Sequence, residues 1–184
     1  MMVPSTSSRF SRRFLLRRTA YGAAAMALGG ALLGSWSRRV TRLPAAPLTC
    51  LAADEAAILT AVCETFLPPA PGFPTIQDAH LVERLDAKLA SMDPEDAGDV
   101  KTLLSVFEYG APVVGPALGR FTGLSDAARE RYLAGWEQSR LEFKRTGFHA
   151  LKYLIYLFYY DTPASWKKLQ YAGPVLPRMG EDRK

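Results

Sequence analysis

Residues Ser11-Arg12-Arg13-Phe14-Leu15-Leu16-Arg17 divide the chain into two parts that obey different rules. They follow a short polar tail and open onto Ala20 to Leu33, an apolar run made mostly of Ala and Gly. A paired arginine followed by two large apolar residues, ahead of a mildly hydrophobic core, matches the twin-arginine export pattern Ser/Thr-Arg-Arg-x-Phe-Leu-Lys. Leu15 stands where Phe is commonest and Arg17 where Lys is commonest. The competing reading is an ordinary secretory leader. The long basic tail of Arg9, Arg12, Arg13, Arg17 and Arg18, the Ala/Gly-rich run, and Arg38, Arg39 and Arg42 after it all favour the twin-arginine reading. Arg12, Arg13, Leu15 and Leu16 are therefore the expected export signal, read by the twin-arginine translocase, with the periplasm as destination. That route moves folded proteins. The rest of the chain must fold first, and such passengers carry a cofactor or travel with a partner that does.

The boundary falls near residue 48, with signal and linker over 1–48 and a helical domain over 49–184. About 136 residues are enough for one core. Residues 1–48 hold eight arginines and no acid, whereas residues 49–184 hold 15 Lys and Arg against 18 Asp and Glu, a net of −3. The formal +5 and the pI near 9.3 belong to the leader, and nucleic acid is excluded as a partner of the folded part. The sequence leaves removal of the leader open. Leu43-Pro44-Ala45-Ala46-Pro47 offers small residues without a clean Ala-x-Ala, and Thr19 to Trp36 is at the short end for a membrane span. An uncleaved leader acting as a membrane anchor is the minor reading. Of the two cysteines, Cys63 lies about 15 Å up a helix that starts near Ala53, so a bridge to Cys50 is strained. Cys63 reads as a small core residue, and Cys50 as free or bonded to a partner.

The domain shows helical periodicity throughout and no convincing period-two alternation. Ile58, Leu59, Val62 and Phe66 mark a first helix over Ala52 to Phe66, which the proline-rich stretch Pro68 to Pro74 must end. A second helix is expected from a Thr75 or Asp78 cap to about Met92. Its stripe is Val82, Leu85, Leu89 and Met92, with Glu83, Arg84, Asp86 and Lys88 facing water. A third starts at Asp93-Pro94, carries Val100, Leu103, Leu104 and Phe107, and weakens at Gly110-Ala111-Pro112. A small-residue connector anchored by Phe121 leads to a Ser125-capped fourth helix through Trp136. A fifth spans Glu137 to Tyr160, separate or continuous with the fourth. Pro163 opens a short turn carrying Trp166, and the tail beyond is extended. The expected fold is all-α: one bundle of four to five helices with an aromatic, proline-rich C-terminal tail.

The chemistry-bearing residues are sparse. His80 and His149 lack a second ligand at helical spacing, no serine sits in a Gly-x-Ser-x-Gly setting, and neither cysteine has a basic neighbour. No Gly-x-Gly-x-x-Gly turn is present, and two cysteines cannot hold an iron–sulfur cluster. Catalytic, metal and cofactor-binding residues are accordingly expected to be absent. A divergent metal site on Glu64, Asp78 or His149 stays open as a rival, as does a standalone envelope bundle without enzyme partner.

The C-terminal stretch is the most informative. Leu151 and Tyr153 to Tyr160 are nearly continuously apolar, which reads as a helix buried on more than one side, with Leu154, Leu157 and Phe158 in the core. Tyr159, Tyr160, Trp166, Tyr171 and Pro174 combine polar-tipped aromatics with a Pro/Gly-rich tail, a composition suited to a protein interface and equally to clamping the tail onto its own bundle. Three blocks carry a family resemblance. The first is Ala56-Ala57-Ile58-Leu59-Thr60-Ala61-Val62-Cys63-Glu64-Thr65-Phe66-Leu67-Pro68-Pro69. The second is Phe121, Leu124-Ser125, Arg129-Glu130-Arg131, Leu133 and Trp136. The third, and most specific, is Tyr159-Tyr160-Asp161-Thr162-Pro163-Ala164-Ser165-Trp166-Lys167-Lys168-Leu169-Gln170-Tyr171-Ala172-Gly173-Pro174. Together they resemble the gluconate 2-dehydrogenase subunit 3 family. Gln170 departs from it, standing where a glycine is expected. The resemblance implies a small, non-catalytic subunit that pairs with a large FAD-dependent dehydrogenase of the glucose-methanol-choline type. The flavin then resides in that partner, which crosses the membrane with the small subunit, and in some such systems a cytochrome c takes the electrons.

Overall fold

The computed structural model describes residues 47–114 and 119–173, the side chains of 112–114 excepted. The export-signal residues Arg12, Arg13, Leu15 and Leu16, and Pro174 of the tail, lie outside the described residues. Within them the fold is all-α, as the periodicity predicts. The elements are α1 (Ala53–Phe66), α2 (Leu81–Ala90), α3 (Pro94–Val114), a 3-10 turn (Phe121–Gly123), α4 (Asp126–Glu137), α5 (Glu142–Tyr160) and α6 (Pro163–Leu169). No described helix is long and apolar enough to cross a membrane.

Helix α1 is the centre of the bundle. Its middle is buried from Ile58 to Cys63, and it touches α2, α3, α4, α5 and the 3-10 turn. Asp54 and Glu55 sit in its first turn, and the Glu55 carboxylate accepts the N–H of Ala52 at 2.8 Å. Pro68 and Pro69 then forbid continuation. Both cysteines are free thiols. Cys63 is fully buried, and burial pushes its thiol far above the ordinary range, so it is an inert packing residue.

The structure corrects several sequence expectations. Helix α2 starts at Leu81, not at a Thr75 or Asp78 cap. Thr75 and Asp78 bond each other in a separate turn, and His80 enters the left-handed region at φ 45°, which breaks the chain before Leu81. Asp86 does not face water: it is 3% exposed. Its Oδ2 accepts from Thr49 N (2.7 Å) and Thr49 Oγ1 (2.9 Å), and its Oδ1 from Cys50 N (3.0 Å) and Leu51 N (2.7 Å). Burial favours the neutral acid, but these four donors outweigh it and hold the carboxyl below its usual range. Lys101 of α3 donates to the Cys50 carbonyl and pairs with Glu55 of α1 at 3.2 Å, so the irregular segment before α1 is tied to both α2 and α3.

Helix α3 does not weaken at Gly110 but runs on to Val114, with Ala111 still fully buried. Ser125 occupies the N-cap position of α4 without a side-chain cap bond; its carbonyl accepts from Ala128 and Arg129. Helices α4 and α5 are separate, broken over residues 138–141. The turn at Pro163 is a seven-residue helix: Pro163 takes the first position and the Thr162 hydroxyl accepts from Ser165 N.

Phe121 anchors the connector as expected, fully buried against Phe107 and Tyr132. Its turn is held from both sides. Glu108, 5% exposed, accepts from Thr122 N (3.0 Å) and Thr122 Oγ1 (2.7 Å), and Arg129, 5% exposed, donates to the carbonyls of Phe121 and Thr122. At the core, Phe107 and Trp136 stack at 4.0 Å between ring centroids and 17° between planes. The buried Lys144 ammonium lies 5.5 Å over the Trp136 ring, and desolvation pushes its pKa down. Tyr132 Oη and Trp136 Nε1 have no hydrogen-bond partner among the described residues. Gly147 lets α5 approach: a Cβ there would lie 2.7 Å from Leu103 Cδ1 and 3.5 Å from Trp136.

Candidate partner interface

Helix α5 determines the character of the C-terminal surface. Its core side is Phe148, Leu151, Ile155 and Tyr159. The other side is open: Tyr153 is 71% exposed, Leu157 49% and Tyr160 38%. The expectation of burial on more than one side is therefore corrected, and Leu157 is a surface residue. Among the described residues the bundle supplies neighbours to its core side, where α5 touches α1, α2 and α4, and to its end, where it touches α6. Leu154 and Phe158, at the edges, are half-buried.

The predicted interface residues divide. Tyr159 does not belong to the surface: it is 5% exposed, and its hydroxyl donates to the Pro74 carbonyl at 2.7 Å, clamping α5 onto the proline-rich loop. Burial, with Tyr160 beside it, pushes its pKa up. Tyr160 is exposed at its rim and packs edge-on to Phe73 at 6.5 Å and Tyr156 at 5.8 Å. Trp166 is half-buried; its Nε1 donates to the Tyr160 carbonyl at 2.7 Å, and Tyr171 stands edge-on to its ring at 5.6 Å. Tyr171 and Leu169 are each 50% exposed. Tyr160, Trp166 and Tyr171 are thus linked in series from the end of α5 through α6 to the tail.

The departure at Gln170 acquires a physical meaning here. Gln170 ends α6 at φ 53°, ψ 32°, the left-handed conformation that favours glycine. A residue with a Cβ is strained there by about 1 kcal/mol. Gln170→Gly is expected to raise stability by about 0.5 kcal/mol once the added freedom of the unfolded chain is deducted. A thermal melt of the full chain checks this; a lower midpoint would contradict it.

A concavity of about 470 Å³ lies at the end of α1. Glu64, Asp126, Arg129 and Glu130 line it beside Leu67-Pro68-Pro69 and Pro74 to Gln77. Arg129 is committed to the 3-10 turn and to Glu64, at 3.6 Å. Burial raises the Glu64 pKa, Arg129 draws it down, Asp126 raises it again, and the net direction is upward. This lining pairs no nucleophile with a base. Asp78 is engaged by Thr75, whose hydroxyl bond comes first among the causes holding its carboxyl low, and His149 lies exposed on α5 against Phe148. Glu64, Asp78 and His149 do not converge, and no three ligating groups gather among the described residues.

Sequence reasoning missed Tyr153 and Leu157 as surface residues, and Asp86, Glu108 and Arg129 as buried polar anchors. The tyrosine and leucine share a face with Tyr160, and that spacing was the available signal. No family model, curated protein or solved structure matches the chain.

Proposed function

We propose that this chain is the non-catalytic small subunit and twin-arginine export escort of a flavin-dependent sugar or alcohol dehydrogenase. The observation that carries this reading is the set of large apolar side chains left exposed among the described residues near the C-terminus: Tyr153, Leu157 and Tyr160 on α5, Leu169 on α6 and Tyr171 beyond it. Exposed large apolar side chains grouped towards one end of a domain suit contact with another protein. Two sequence features point the same way: the arginine pair in the leader and the resemblance of three blocks to a dehydrogenase small-subunit family. In this reading Arg12 and Arg13 address the complex, the helical domain holds the large subunit, and the flavin belongs to that subunit.

Replacing Arg12 and Arg13 together with lysine tests the escort role. Lysine keeps the charge and removes the guanidinium fork. Both this chain and the flavoprotein are expected to disappear from the periplasmic fraction and accumulate in the cytoplasm. Undiminished export of the flavoprotein would overturn the role.

A further inference from the structure

Residues Leu48 to Ala52 belong to no helix, yet their backbone groups are engaged one after another. The N–H groups of Thr49, Cys50 and Leu51 donate to the Asp86 carboxylate, the Cys50 carbonyl accepts from Lys101, and the Ala52 N–H donates to Glu55. The Ala52 carbonyl accepts from Ala56 N as α1 begins. Each fastening side chain comes from a different helix: Glu55 from α1, Asp86 from α2 and Lys101 from α3. Leu51 is buried, and Leu48 and Cys50 pack against the core, whereas Pro47 is exposed.

We infer that this latch is the inner limit of proteolytic processing: an enzyme that removes the leader cuts on the N-terminal side of Leu48, and the mature chain keeps Thr49, Cys50 and Leu51. The inference rests on the reading of residues 1–48 as leader and linker, and adds where removal stops. A protease takes its substrate as an extended strand and bonds the backbone N–H and C=O groups on both sides of the cut. Over residues 49–52 those groups are already bonded to Asp86, Lys101, Glu55 and Ala56. Cutting there must wait until the segment opens, and its rate follows the small open fraction. A stop placed ahead of the first helix matters for a passenger exported folded, because the processing enzyme meets the domain with the latch already closed.

The test digests the purified, folded full chain with a trace of a broad-specificity protease and reads the N-terminus of the surviving fragment by mass spectrometry. The wild-type fragment should begin at Leu48 or earlier. In Asp86→Ala it should begin between residues 49 and 53, with cutting there faster by about 100-fold. Lys101→Met removes the bond to the Cys50 carbonyl and the pair with Glu55 but leaves Asp86 in place, and should speed the same cuts by about 10-fold. This milder variant decides the matter if a thermal melt shows Asp86→Ala unfolded at the assay temperature. A wild-type fragment that begins beyond Leu48, or folded variants cut at wild-type positions and rates, would overturn the inference. So would a chain from the native envelope fraction that begins beyond Leu48. If the digests come out as expected but the native chain is found in the cytoplasm with residues 1–48 intact, the leader reading fails and the latch stands.

Discussion

Trp136→Ala is expected to destabilise the domain by about 4 kcal/mol, the largest effect of any single truncation in this core. Trp136 is 1% exposed. It stacks on Phe107, meets Tyr132 and Phe143 edge-on, and lies under the Lys144 ammonium. Alanine leaves a void that Gly147 cannot fill and strips Lys144 of the ring that faces it. Against a typical total stability of about 5–15 kcal/mol, the loss is a large share. For a domain of this size the melting midpoint should fall by about 15 °C. Trp136→Phe is the informative companion. It keeps an aromatic against Phe107 and removes an indole N–H that has no partner among the described residues. It should cost less than half as much. Equal losses for the two variants would contradict the stacking account.

Asp86→Ala should cost about 3 kcal/mol. One buried carboxylate accepts three backbone N–H groups and the Thr49 hydroxyl, and its bond from Leu51 N is buried. Its loss should free residues 47–51 before the helices unfold, which hydrogen exchange at Thr49, Cys50 and Leu51 reads directly. Acid should imitate the mutation. The folded carboxyl titrates below its unfolded value, so its contribution is fully present above the unfolded pKa, about 3.9 for aspartate. It is lost as pH falls through the lower, folded value. In Asp86→Ala this part of the acid sensitivity should be missing. Unchanged exchange at Leu51 in the variant would show that another group holds the segment.

The two variants mark where sequence reading succeeds and where it stops. The helices were legible because the apolar positions of α1, α3 and α4 recur at helical spacing and prolines punctuate them. Trp136 and Phe121 were legible as anchors for the same reason. Asp86 was not, because periodicity places an acid on the polar face and cannot see that the irregular segment before α1 brings three N–H donors to it. Glu108 and Arg129 escaped notice in the same way: each is satisfied by the 3-10 turn, which pattern alone does not place. The start of α2 was misplaced because Thr75 and Asp78 have cap chemistry, and the left-handed turn at His80 leaves no compositional trace.

Helix α5 gives the converse lesson. Its near-continuous apolar run argues for burial all round, yet among the described residues no element covers its outer face. Composition left Tyr159 between a partner surface and a clamp on its own bundle, and it is clamped to Pro74; Leu157 was assigned to the core and is exposed. Tyr160, Trp166 and Tyr171 do form a connected surface group, because Trp166 hydrogen-bonds the end of α5 and draws the tail alongside. The interface proposed here is accordingly centred one to two turns earlier on α5 than composition suggests, at Tyr153 and Leu157.

The most direct measurement is a mild affinity purification of the tagged full chain from its native envelope fraction, followed by a visible absorption spectrum. The small-subunit account predicts a larger protein that co-purifies and carries flavin bands. A single colourless species that remains monomeric would contradict it.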